Sequence, residues 1–260
     1  MSRRSKRKFF ISLLVCFVIL FSFQVGIVPS SGNSPFKNPR SYEIEYRVVI
    51  KNINAKMQTV RIWIGLPTEL DYQKNVVTLG TTPSPTQEYR DKKYGNEIGY
   101  WSFQNVHQGS EVNVTLKWSF TRYDIQYDID PNNVGQYDPK GGLYKNYTEP
   151  SEYVQSSDLL IQKKAQDIVG SETNPYWKAQ KIYYWIIQNI EYSFTAQQQK
   201  AKDVLLEGKG DCGGQSALFC ALCMAEGIPA RNVAGLWWPR DGTYSSKASL
   251  SNVTNWGSHE

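Results

Sequence analysis

Cys212 stands in a stretch whose residue types and order suit a thiol nucleophile: Gly208-Lys209-Gly210-Asp211-Cys212-Gly213-Gly214. Behind it Ala217, Leu218, Ala221, Leu222 and Ala225 recur at helical spacing. Gly227 is placed to stop that helix and Pro229 to keep it stopped. The pattern therefore puts Cys212 at a helix N-terminus. Unpaired N–H groups and the positive end of the helix dipole stabilise a thiolate there. The same N–H groups can hold a developing oxyanion.

A thiolate nucleophile needs a partner that takes its proton and returns it to the leaving group, and histidine suits that work near neutral pH. The chain has two histidines. His107 stands alone in a turn-like stretch and reads as a solvated loop residue. His259 lies in Asn255-Trp256-Gly257-Ser258-His259-Glu260, after the helix. Between them, Arg231 to Trp238 reads as a buried strand and 240–254 as a polar loop, which lets the chain return beside the helix start.

The other cysteines read differently. Cys220 and Cys223 are spaced i, i+3 inside the helix, as core thiols are. Cys212, Cys220, Cys223 and His259 have the residue types of a zinc site, although a Cys-x-x-Cys in mid-helix is not the usual zinc knuckle. Cys212 as a purely structural cysteine is the bland alternative. With four cysteines, one of them Cys16 in an apolar run, no disulfide framework is indicated. Arg231 reads as an ion-pair residue. Gly213 and Gly214 read either as a loose helix start or as room for a substrate backbone.

The elements that must position these residues fall into two groups. Tyr42, Ile44, Tyr46, Val48 and Ile50 alternate with Glu43, Glu45, Arg47 and Lys51; Val60, Ile62, Ile64 and Leu66 with Thr59, Arg61 and Trp63; and Val112, Val114, Leu116, Trp118 and Phe120 with Glu111, Asn113, Thr115 and Lys117. Period-two alternation means half-buried strands, so residues 38–125 are expected to form a β-sandwich. Residues 123–142 are polar. Asp128-x-Asp130-x-Asn132 begins like a calcium loop, but Asn133 and Pro139 stand where glycine and glutamate are needed, leaving a solvated connector as the plainer reading. Helical spacing follows. Asp158 to Val169 carries Ile161, Ala165 and Ile168 on one face, and Asn174-Pro175 opens a second helix with Ala179, Ile182, Tyr183, Ile186, Ile187 and Ile190 as its apolar stripe. Strands followed by helices indicate an α+β chain, its second domain over 150–260.

Gly-Lys-Gly-Asp-Cys-Gly, a helix, Gly-Ile-Pro-Ala-Arg, an apolar run and a later histidine together resemble the transglutaminase-like superfamily, whose members share a papain-like core. The resemblance covers residues 151–260, including Tyr153-Val154-Gln155-Ser156 and Val204-Leu205. The sandwich region is similar to the β-domain found ahead of this core in secreted microbial members. The resemblance implies that Cys212 is the nucleophile and His259 the general base. It also implies an aspartate on the next strand to orient the imidazole, whereas the sequence ends at Glu260, which on a strand would point away from His259. The expectation is therefore a core incomplete at its C-terminus, with Asp211 a turn residue rather than the orienting acid.

The N-terminus sets location. Arg3, Arg4, Lys6, Arg7 and Lys8 precede an uncharged apolar run, Phe9 to Val28. Its length fits a membrane span of about 20 residues better than the 7–15 of a signal core, though a cleaved signal stays open. Residues 1–30 are thus read as a membrane anchor or signal peptide, with the rest of the chain exported. Those five basic residues account for the whole net charge of +5, so the globular part is neutral and nucleic acid is not an indicated partner. Sequons occur at Asn113, Asn146 and Asn252. No cofactor or metal is called for. The expected function is an exported thiol acyl-transfer enzyme acting on a protein or peptide substrate, most simply by hydrolysing amide bonds. A cross-linking transglutaminase and a non-catalytic binding or scaffold module are the alternatives.

Overall fold

The protein is described by a computed structural model over residues 34–195 and 198–235. Its first half is six strands: β1 (Phe36–Lys51), β2 (Gln58–Leu66), β3 (Gln73–Thr82), β4 (Gln87–Arg90), β5 (Glu97–Val106) and β6 (Glu111–Ile125). They form two antiparallel three-stranded sheets, ordered β1-β6-β3 and β2-β5-β4. Ile44, Val114, Leu116 and Trp118 from one sheet and Ile62 and Trp101 from the other share one apolar cluster. The alternation read in β1, β2 and β6 points inward as expected, with Trp63 outward and 56% exposed.

Strands β3, β4 and β5 have no clear apolar alternation, and β5 shows why. It supplies Trp101, 1% exposed, whose indole N–H donates to the Pro83 carbonyl at 2.9 Å. Two residues earlier on the same face is Gly99, where a Cβ would lie 2.5 Å from the Trp101 ring. The inward residue that makes room for the tryptophan thus has no side chain to show in the pattern. In β3, an edge strand, Val77 and Leu79 are about half exposed.

After β6 the chain crosses a connector in which Asp130 caps a short 3-10 turn, Pro131–Asn133. Its carboxylate accepts from the Asn132 backbone N–H and the Asn132 and Asn133 side-chain amides. The Asp-x-Asp-x-Asn sequence is therefore a turn cap. Five helices follow: α1 (Gly142–Thr148), α2 (Leu159–Val169), α3 (Pro175–Asn189), α4 (Ala201–Glu207) and α5 (Cys212–Ala225). Asp158 and Asn174 cap α2 and α3, their side chains accepting from Leu160 and Tyr176 N–H, and Pro175 opens α3. On α2 the third inward residue is Val169, with Ile168 only partly buried. On α3 Ile182 and Ile186 are buried, whereas Tyr183 and Ile187 are 53% and 54% exposed, so the stripe is narrower than its apolar residues suggest. Helix α5 is apolar on nearly every side and lies at the centre, packed against α2, α3 and α4. Among the described residues no helix is long and apolar enough to cross a membrane; the run Phe9 to Val28 lies outside them.

Candidate active site

Cys212 is the first residue of α5 and is exposed. Its position is set from both sides. Upstream, α4 ends on Gly208, whose φ of +66° is the left-handed conformation glycine adopts without strain. The chain then forms a two-residue strand, β8 (Lys209–Gly210), parallel to β7 (Glu191–Tyr192), with Glu191 and Ser193 N–H donating to Gly208 and Gly210 carbonyls at 2.9 and 3.1 Å. Downstream, Asp211 is the N-cap, its carboxylate accepting from Gly214 N–H at 2.8 Å. Asp211 is thus the capping residue of the helix that carries the thiol.

Two helix-start donors are thereby left over. Asp211 N–H donates to Gln199 Oε1 at 2.9 Å, Gly214 N–H to Asp211 and Gln215 N–H to the Asp211 carbonyl. The N–H groups of Cys212 and Gly213 have no partner among the described residues. These are the donors a developing oxyanion beside Sγ can use. Gly214 is not a loose helix start: it is buried, and a Cβ there would meet Gln199 Oε1 at 2.5 Å and Val204 Cγ2 at 2.9 Å.

The far end of α5 closes as its sequence implies. Gly227, at φ +74°, donates to the Met224 carbonyl, and Ile228 N–H to the Cys223 carbonyl, the paired bonds of a Schellman cap. The chain then turns back along the helix. Ala230 N–H bonds to the Tyr147 carbonyl, and the Cys220 thiol donates to Asn232 Oδ1 at 3.0 Å, one turn nearer the start of the helix than Cys223, whose carbonyl Ile228 N–H meets. Residues 231–235 thus head toward the Cys212 end, but they are exposed and carry no strand assignment. No strand among the described residues runs beside them to complete a ladder, so the expected buried strand is not seen over this part. Residues 236–260, with His259, lie outside the described residues, and the Cys212–His259 pairing is therefore not part of the described geometry.

The other cysteines are thiols of the core. Cys220 and Cys223 are buried, and burial pushes the Cys220 thiol up to about 11 and the Cys223 thiol higher still, with Cys220 adding to the effect. Neither is a nucleophile at neutral pH. Cys212 is separated from them by two to three turns, and no group of three or more His, Cys, Asp or Glu that could hold a metal occurs among the described residues. Arg231 makes no ion pair there. Its guanidinium donates to the Tyr147 hydroxyl at 3.0 Å and lies over that ring, 5.3 Å from the centroid. Burying a charge between carboxylates was not needed, because the arginine is exposed and a tyrosine face suffices.

Gln199 is the residue that motif reading missed. Nothing in its own neighbours marks it; the only signal was the pair of glycines, Gly210 and Gly214, bracketing Cys212 and hinting at a close packing partner. Gln155 has a parallel role, its Oε1 accepting from Lys202 N–H at 3.0 Å, while Tyr153 accepts from Ala201 N–H. Those two bonds anchor the start of α4.

Comparison with known proteins bears on this arrangement. Residues 162–260 match the family model of the transglutaminase-like superfamily. An uncharacterised protein of Haemophilus influenzae is 24% identical over 197 residues, 67% of this chain and 49% of that protein. The chain therefore spans about half the length of this relative. The crystal structure of a candidate cysteine protease from Cytophaga hutchinsonii superposes with a TM-score of 0.58 at 21% identity, over 74% of this chain and 66% of that one, a likeness of fold. A candidate protease from Parabacteroides distasonis aligns with a TM-score of only 0.29 at 18% identity, over 73% of this chain and 35% of that one. The capped cysteine helix and its glycine stop lie within residues 162–260, the part of this chain that matches the transglutaminase-like superfamily model.

Proposed function

We propose that the chain is a thiol-dependent acyl-transfer enzyme that hydrolyses amide bonds of a protein or peptide substrate, with Cys212 as nucleophile and His259 as general base. The observation that carries this reading is the contrast among the cysteines. Of the three described cysteines, one is exposed at the start of a buried helix beside two N–H groups that have no partner among the described residues, and two are buried, with thiols held protonated.

In this mechanism His259 takes the thiol proton, and Sγ attacks the carbonyl carbon to form a C–S bond. The carbonyl oxygen gathers negative charge, which the Cys212 and Gly213 N–H groups stabilise. The C–N bond then breaks as His259 gives its proton to the leaving amine, and an acyl-thioester remains on Cys212. Water, giving a proton to His259, attacks that thioester. The C–S bond breaks, the carboxylic acid leaves and the thiol is restored. A primary amine in place of water would complete a transamidation instead.

The test is turnover of a peptide-amide library by the protein, with and without added primary amine. Cys212→Ala is expected to abolish amine release, and His259→Ala to lower it by roughly 10²–10⁴. Release that persists in Cys212→Ala would exclude the proposal, and incorporation of the amine would replace hydrolysis with cross-linking. We place the reaction outside the cytoplasm, anchored by the run Phe9 to Val28. Protease treatment of intact cells is expected to degrade the domains, and full protection would refute that location.

A further inference from the structure

We propose that Gln199 is a positioning residue for the Cys212 thiol, acting through Asp211; this rests on the function proposed above. Three observations meet at its side chain. Its Oε1 accepts the Asp211 N–H at 2.9 Å, immediately before the thiol-bearing residue. The same oxygen occupies the space left by two glycines on either side of Cys212, lying 2.5 Å from where a Gly214 Cβ would be and 3.2 Å from a Gly210 Cβ. The segment carrying Gln199 is itself fixed, since Ala201 N–H bonds to the Tyr153 carbonyl and Lys202 N–H to Gln155 Oε1. The amide is thus a short bracket between the anchored start of α4 and the first residue of the thiol turn.

What the bracket controls follows from Asp211. Held by Gln199, the Asp211 backbone lets its carboxylate turn to cap Gly214 N–H at 2.8 Å. That directs a negative group into the helix backbone and leaves the Cys212 and Gly213 N–H groups without a partner among the described residues. Without the bracket, the Asp211 peptide has an unpaired donor and the first turn frays. The carboxylate, released from its cap, becomes a like charge beside a thiolate, and a like charge raises the pH at which a thiol ionises. A residue with a merely structural role would change stability and leave that pH unchanged.

The experiment is the pH profile of Cys212 alkylation by iodoacetamide, read by mass spectrometry on the protein alongside its thermal midpoint. Gln199→Met keeps the length and removes the strong acceptor. It is expected to slow alkylation at pH 7 by up to about tenfold, the scale of one lost amide hydrogen bond, and to move the profile to higher pH. Gly214→Ala, which displaces the same oxygen, should shift the profile the same way. Asn174→Ala removes the N-cap of α3, an element that carries no part of the bracket, and should lower the midpoint without moving the profile. If Gln199→Met fails to fold, Gln199→Asn supplies the measurement, its oxygen falling short of Asp211 by one methylene. A folded Gln199 variant whose profile equals wild type overturns the inference and leaves the proposed function standing. A wild-type Cys212 no more reactive at pH 7 than free cysteine would overturn both.

Discussion

At the scale of single residues, the three described cysteines make opposite predictions. Iodoacetamide at pH 7.5 or so, in the range where an activated thiol reacts, should modify Cys212 alone. Cys220 and Cys223 should react only after denaturation, because burial keeps them protonated. Peptide mapping decides this, and native labelling at Cys220 would contradict the burial. The cysteine, its helix and its glycine stop were legible in the sequence because each has a local signature: a Gly-Lys-Gly-Asp turn, apolar spacing, Gly227 followed by Pro229. Gln199 was not legible. Its importance lies in a contact 12 positions away in sequence, and a glutamine amide can bond almost anywhere. The seat of Arg231 on Tyr147 was not legible for a related reason. Sequence supplies the charge, but only the fold supplies the tyrosine face on which it rests.

At the scale of elements, α5 carries the site and most of the second core. Leu222 is fully buried among α2, α3 and α4 residues, so Leu222→Ala should cost about 2–5 kcal/mol. Leu206 on α4 is 65% exposed, and its replacement by alanine should stay within about 0.5 kcal/mol. Urea unfolding of the two variants checks the contrast. The buried thiols of α5 also give the fold an alkaline limit. Their folded values are raised, so the unfolded chain loses these protons first. Stability is intact below the unfolded thiol value of about 8.5 and falls as pH rises through about 11 for Cys220. Cys220→Ala should flatten that decline in a series of urea midpoints. At the acid end, the Lys202 hydrogen bond holds the Asp158 carboxyl low, with the Leu160 N–H assisting. That contribution is present above the unfolded carboxyl value and lost as pH falls through the folded one. The start of α3 and the helix spacing were readable because Asn174 and Pro175 act within their own turn. The solvent side of α3 was not, since Tyr183 and Ile187 are apolar residues that tertiary packing leaves outside.

At the scale of the whole molecule, the strand region touches the helical region where the chain returns from α5. The β4–β5 turn offers Lys93 to Glu149 at 2.6 Å and stacks Tyr94 on Tyr147, 5.6 Å between centroids. Tyr147 in turn holds Ala230 through its carbonyl and Arg231 through its hydroxyl. The period of the apolar residues distinguishes strands from helices in the sequence, but no pattern could pair a turn at Tyr94 with a helix end at Tyr147. A double-mutant cycle on Tyr94 and Tyr147 should return a coupling of about 0.5–1.5 kcal/mol, and one on the exposed Lys93–Glu149 pair no more than about 1. Equal and negligible couplings would mean that the two regions are independent. Above all these contacts stands the claim that the molecule is arranged to make Cys212 an acyl acceptor. The measurement that tests it most directly is the intact-mass and peptide-map analysis of the protein mixed with p-nitrophenyl acetate under pre-steady-state conditions. We predict a nitrophenol burst of one equivalent, an acetyl group on Cys212 and no burst in Cys212→Ala. Acetylation scattered over surface lysines without a burst, or a burst surviving in Cys212→Ala, would contradict it.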